Sequence, residues 1–164
     1  MRLGFDFDGV ITDGKYLDLA AIPTGADLLE IYNTLTPYDS DTKLIWNQLC
    51  AEHDCWIMTA RGSGKQAFFK ESFDSVLGWL QERGFTLPRG IYTAVGAEDK
   101  LPILENLHID RYFDDCPAAF TKWNPTYNLV PYLINNPNSL ENQAKSPWAR
   151  LSSWKEIDAS ISTR

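Results

Sequence analysis

Apolar residues fall along this chain in two alternating kinds of segment, short continuous runs and longer stretches with helical spacing. Leu3 to Phe7 is a run of strand length, broken by Asp8-Gly9. Thr12 to Asp39 has no clear period and carries Gly14, Pro23, Gly25 and Pro37, which predicts a hairpin followed by a loop or a short helix. From Asp41 the spacing turns helical, with Leu44, Ile45, Trp46 and Leu49 toward one side and Ser40 or Asp41 as N-cap. Cys55-Trp56-Ile57-Met58 predicts a second strand, ended by Thr59-Ala60-Arg61-Gly62. Ser63 then opens a long helix in which Phe69, Phe73, Val76, Leu77 and Leu80 recur, closing at Gly84. Ile91 to Val95, Tyr112 to Asp115 and Tyr127 to Ile134 predict further strands; Lys100 to Leu107, Pro117 to about Trp123 and Ser153 to Ile161 predict helices. Asn135 to Pro147 is polar and turn-rich.

Strand and helix signals in alternation predict an α/β fold, a three-layer doubly wound parallel sheet with helices on both faces. At roughly 150 residues per domain, the 164-residue chain is expected to form one domain over 1–164. In such sheets ligands gather at the carboxyl ends of the strands. The first strand ends in Asp6-Phe7-Asp8-Gly9, the second in Thr59-Ala60-Arg61, and the fourth in Asp114-Asp115; Lys100 opens the helix after the third. Four carboxylates converging on one edge repel one another, and an all-oxygen set without Cys or His selects a hard divalent ion, Mg²⁺. Mg²⁺ and Lys100 together suit a phosphoryl group.

Charge and cysteine usage narrow the partners. With 22 acidic and 15 basic residues, the net charge of −7 argues against a sequence-blind grip on nucleic acid. Cys50, Cys55 and Cys116 form no CxxC pair, and with only His53 and His108 beside them a structural zinc site is not expected. Free thiols point to a reducing, cytoplasmic compartment. Asp6 and Asp8 interrupt the apolar start that a signal peptide needs, and no apolar run is long enough to span a bilayer.

Asp6-x-Asp8-Gly9-Val10, the strand ending in Thr59, Lys100 and Asp114-Asp115 together resemble the four motifs of the haloacid dehalogenase superfamily of phosphotransferases, in order, from Leu3 to about Pro117. The resemblance implies that Asp6 is a nucleophile forming an aspartyl-phosphate, and that Asp8 is the general acid and base. It also implies that Thr59 and Lys100 bind phosphoryl oxygens and that Asp6, Asp8, Asp114 and Asp115 hold Mg²⁺. Arg61, two positions past Thr59, is placed to reach a second anionic group. Plain turns at Asp8-Gly9 and Asp13-Gly14, an N-cap role for Thr59 and a surface role for Arg61 remain open on the residues alone. Cys116 reads as a small filler rather than a nucleophile.

The stretch from Asp8 to Thr59 exceeds a minimal crossover of about 25 residues by roughly as much again. A minimal cap or flap is expected at about 12–40, leaving the site open to a large substrate or to a lid from a partner subunit. The tail, Trp148-x-Arg150-Leu151-x-x-Trp154-x-Glu156-Ile157, resembles the cytosolic 5′(3′)-deoxyribonucleotidases, which favours a small phosphomonoester, a nucleotide first. Thr59-Ala60-Arg61 resembles polynucleotide 3′-phosphatase domains. Asp8 to Gly14 resembles the 3-deoxy-manno-octulosonate 8-phosphate phosphatases, although Ala118 stands where those carry a further Asp. Outside enzymes, an acidic pocket with a Thr and a Lys resembles a receiver module, from which the motif order departs.

Overall fold

The computed structural model of the protein describes residues 1–14, 28–61 and 69–162. Residues 15–27, the middle of the expected flap, and 62–68, with the helix start expected at Ser63, lie outside the described residues. The strands are β1 (Arg2–Phe5), β2 (Asp54–Thr59), β3 (Gly90–Thr93), β4 (Arg111–Asp114), β5 (Val130–Ile134) and β6 (Ala149–Leu151). Among the described residues they form one sheet in the order β3-β2-β1-β4-β5-β6, with every pairing parallel. The order reverses at β1, so the crevice between the carboxyl ends of β1, β2 and β4 is the switch point expected of a doubly wound sheet.

The helices are α1 (Leu28–Asn33), α2 (Thr42–Glu52), α3 (Phe69–Glu82), α4 (Lys100–Asn106), α5 (Leu140–Gln143) and α6 (Trp154–Ser162). Alternating strand residues feed two cores. Leu3, Phe5, Ile57 and Phe113 pack on one face against Trp46 of α2, Trp79 of α3 and Trp154 of α6. Met58, Tyr112 and Leu133 pack on the other against Leu101 and Leu104 of α4 and against Phe120. Phe5 stacks on Phe113 at 4.9 Å and on Trp154 at 5.7 Å between ring centroids, so the middle of the sheet is anchored by aromatic rings.

Several elements differ from the sequence reading. In α2 the buried side is Thr42, Ile45, Trp46 and Leu49, and Leu44 is 63% exposed. In α3 the buried side is Ser72, Ser75, Val76, Trp79 and Leu80, while Phe73 is 38% exposed. Choosing the most apolar side of that helix misplaces it by about one residue, because the inward turns nearest the site carry hydroxyls that hydrogen-bond Arg61. The helix expected from Pro117 to Trp123 is a 3-10 turn over Pro117–Phe120, and the loop-like 135–147 stretch contains α5. Strand β6 has no counterpart in the sequence reading. Gly84 does end α3 as expected: its φ of +67° allows Phe85 N–H to bond Leu80 C=O at 2.9 Å. Thr12 forms a single antiparallel bridge to Pro37, so the two ends of the expected flap lie side by side.

Candidate active site

Phe7 carbonyl oxygen closes the chain reversal after β1 by accepting from Ile11 N–H at 2.9 Å and Thr12 N–H at 3.0 Å. That turn leaves Asp6 and Asp8 on the carboxyl edge of the sheet. The structure brings Asp6, Asp8, Thr59, Arg61, Lys100 and Asp115 together around a cavity of about 250 Å³, to which Tyr32 and Cys116 also contribute. Asp114 sits directly beneath it, linked to Asp6 by Lys100 Nζ, which lies 2.8 Å from an oxygen of each. Lys100 is only 1% exposed. Burial works to lower its pKa, but the Asp114 and Asp6 carboxylates outweigh that and raise it, so the side chain is an ammonium at any ordinary pH.

The carboxylates differ in how they are satisfied. Asp114 accepts from Lys100, from Tyr112 OH at 2.6 Å and from Cys116 N–H at 2.8 Å. Asp115 accepts from Asn136 Nδ2 at 2.6 Å. Asp8 accepts from Arg61 Nε at 2.8 Å and Nη2 at 2.7 Å, with Thr12 Oγ1 at 3.2 Å. Burial and the Asp114 charge push the Asp6 carboxyl well above the usual carboxylate range, with Lys100 opposing them. The same two causes raise Asp115 to about 7 against the Asn136 hydrogen bond.

Asp6, Asp114 and Asp115 each offer an oxygen within 4.8 Å of the others, all buried. Lys100 offsets one of these three charges, and Arg61 is already matched to Asp8. The remainder equals the charge of one divalent cation, and the donors are all hard oxygens, so the site fits Mg²⁺ better than a softer metal. Cys116 has its thiol pushed up to about 12 by burial and Asp114, which suits a filler. All three cysteines are free thiols.

Thr59 ends β2 fully buried, and its hydroxyl accepts from Arg61 N–H at 3.0 Å. The Arg61 guanidinium turns toward Asp8, Ser75 and Asn33. Sequence reasoning missed Ser75, Asn33, Tyr112 and the pair Asn136 and Asn142. Asn142 Nδ2 holds the backbone carbonyls of Asp115 at 2.5 Å and Ile134 at 2.7 Å, while its Oδ1 receives Asn136 N–H at 2.8 Å. Asn136 stands two residues past the end of β5, and that position at a strand's carboxyl end was the signal available for it.

Gly9 is required by this packing. It has φ +89°, and a Cβ there would lie 2.3 Å from Asp115 Oδ2. Gly9→Ala is expected to destabilise the fold by about 1–3 kcal/mol through backbone strain, before any cost of displacing Asp115. Urea unfolding checks this, and an unchanged midpoint would contradict it.

No family model matches the chain, and no curated protein does so either. Solved structures do. A D,D-heptose 1,7-bisphosphate phosphatase from B. bronchiseptica, complexed with magnesium and phosphate, superposes with a TM-score of 0.61 at 14% identity, covering 98% of each chain. The D,D-heptose 1,7-bisphosphate phosphatase from Burkholderia thailandensis gives 0.61 at 11% identity over 99% of each chain. A haloacid dehalogenase-like hydrolase from Streptococcus pneumoniae gives 0.56 at 12% identity over 98% of this chain and 97% of that one.

Proposed function

The fold is that of haloacid dehalogenase-like proteins, and we propose that the protein is a Mg²⁺-dependent phosphomonoester hydrolase working through an aspartyl-phosphate. One observation carries the reading: Lys100, in the wall of an acidic cavity that Thr59 also lines, bridges Asp6 to Asp114. Asp6 attacks phosphorus along the open side of the cavity, and Lys100 opposes the burial that disfavours its ionised form and lessens its repulsion of the incoming anion. Thr59 supplies a hydroxyl to the phosphoryl oxygens. Asp8 protonates the departing oxygen, then takes a proton from the water that hydrolyses the intermediate. Asp6, Asp114, Asp115 and the backbone carbonyl of Asp8 would hold Mg²⁺, which supplies charge stabilisation for the transferring phosphoryl group.

The substrate is read as a small phosphomonoester, a nucleoside monophosphate first and a sugar phosphate second. The sugar-phosphate reading is supported by the heptose bisphosphate phosphatases to which the chain is similar. The tail resemblance supports the nucleotide reading through the fold rather than the pocket: Trp154 is buried, its Nε1–H donating to Val10 C=O at 2.8 Å. Three free thiols support a reducing, cytoplasmic location. Among the described residues no helix is long and apolar enough to cross a membrane.

The test is Mg²⁺-dependent phosphate release from p-nitrophenyl phosphate, followed by catalytic efficiency on nucleoside monophosphates, sugar phosphates and a 3′-phosphorylated oligonucleotide at low and moderate salt. A preference for the oligonucleotide that weakens sharply with salt would overturn the small-substrate reading.

Metal and pH should act together. An Asp side chain titrates near 3.9 when unfolded, whereas Asp115 is raised to about 7 in the folded protein. The folded state therefore holds that proton more tightly, and its contribution to stability falls as pH rises through that window. Mg²⁺ binds the ionised carboxylates, so it is expected to raise the melting temperature more above pH 7 than near pH 5. A shift equal at both values, or activity surviving excess EDTA, would contradict the metal assignment.

A further inference from the structure

We propose that Arg61 is a positioning residue for Asp8, fixing the orientation of the proton-donating carboxyl and tying it to helices α1 and α3. The inference rests on the phosphatase reading above. Arg61 meets Asp8 side-on, Nε to one oxygen at 2.8 Å and Nη2 to the other at 2.7 Å. Its remaining N–H groups are directed to Ser75 Oγ at 2.7 Å, Asn33 Oδ1 at 3.2 Å and, at 3.5 Å, Tyr32 C=O. Ser75 Oγ in turn donates to Asn33 Oδ1 at 2.7 Å. The guanidinium carbon sits 4.8 Å from the Phe7 ring centroid and 5.0 Å from that of Tyr32, so the group is held between two aromatic faces. Its backbone is pinned as well, with Arg61 N–H on Thr59 and Arg61 C=O receiving Ser72 Oγ at 2.7 Å.

A guanidinium has five N–H groups, and all five are spent on the protein. A substrate anion would have to take one of them away, which makes anion binding the poorer use of this side chain. The arrangement does suit another task. A proton donor must hold its carboxyl within hydrogen-bond reach of the departing oxygen, and a misplacement of about 1 Å costs on the order of 10²-fold in rate. A rigid bidentate fork fixes a carboxylate plane, whereas a lysine ammonium is a point charge that leaves the plane free to turn. Asn33 and Ser75 come from α1 and α3, so the part of the insert that forms α1 reaches the reaction through Arg61 rather than by covering the site alone.

Positioning of a proton donor has a signature that packing and anion binding lack. An alkoxide must be protonated as it leaves; a p-nitrophenolate is stable as an anion and needs little help. The value of kcat/KM covers steps only through departure of that group, so later hydrolysis of the intermediate drops out. The experiment measures kcat/KM for the wild type, Arg61→Lys and Ser75→Ala on glycerol phosphate and on p-nitrophenyl phosphate, and repeats Arg61→Lys in an Asp8→Asn background. Arg61→Lys is expected to lose on the order of 10²-fold on the alkyl ester and about tenfold less than that on the aryl ester. Ser75→Ala should show the same bias at smaller size, and it decides the matter alone if Arg61→Lys fails to fold. In the Asp8→Asn background the Arg61 change should add no further discrimination, since both act through one group. Equal losses on both esters, a loss confined to KM on both, or no loss overturns the positioning role while leaving the phosphatase reading standing. A wild type inert toward both esters overturns that reading and this inference with it.

Discussion

Asp6→Asn is expected to bring phosphate release down to the uncatalysed background, because a carboxamide cannot attack phosphorus and Asp6 is the cavity carboxylate that Lys100 holds. The variant should still fold. It removes a buried carboxyl that burial and Asp114 already disfavour as an anion, and Lys100 keeps its bond to Asp114. Asp8→Asn should behave differently, retaining Mg²⁺ and substrate binding and losing about 10²–10⁴-fold in rate through lost proton transfer. Steady-state kinetics with parallel substrate-binding measurements separate the two variants. Near wild-type turnover by Asp6→Asn would place the nucleophile elsewhere and end the aspartyl-phosphate reading.

Lys100→Met should cause the largest loss of stability. Lys100 lies between Asp6 and Asp114 at 2.8 Å from each, with all three side chains buried. Its folded pKa is raised, so its contribution is fully present at neutral pH and would be lost only at high pH. Removing the ammonium leaves buried carboxylates facing one another without their cation, which typically costs about 3–5 kcal/mol. For a chain of this size that is a fall of roughly 6–20 °C in melting temperature. Mg²⁺ should recover part of the loss by binding the same carboxylates, without restoring activity. A variant melting within about 2 °C of the wild type would show that the bridge contributes little and that the cluster is held by its other hydrogen bonds.

The layout of the site was readable in advance because it follows from position along each strand. Asp6, Asp8, Thr59 and Asp114-Asp115 stand where continuous apolar runs stop, and Lys100 stands at a helix start. In a parallel sheet those places share one edge, so they meet whatever the details of packing. Asn136 and Asn142 were not legible, since a polar loop looks the same whether its amides face water or, as here, hold Asp115 and the end of β5. The buried face of α3 was misjudged for a related reason. Hydropathy ranks Phe73 above Ser72 and Ser75, but Arg61 needs the hydroxyls on the inner side.

By itself, then, the sequence determined the alternation of strands and helices, the parallel sheet that alternation implies, and the set of acidic, hydroxyl and ammonium groups gathered at its carboxyl edge. These are consequences of local periodicity and of where each run ends, both of which act over a few residues. Only the tertiary structure decided how the charges are shared: Lys100 between Asp6 and Asp114, Arg61 on Asp8 with Ser75 and Asn33, and Asn136 on Asp115. The physical reason is range. Hydrogen bonds and ion pairs discriminate over tenths of an ångström between side chains far apart in the chain, and those separations exist only once both cores have packed against the sheet.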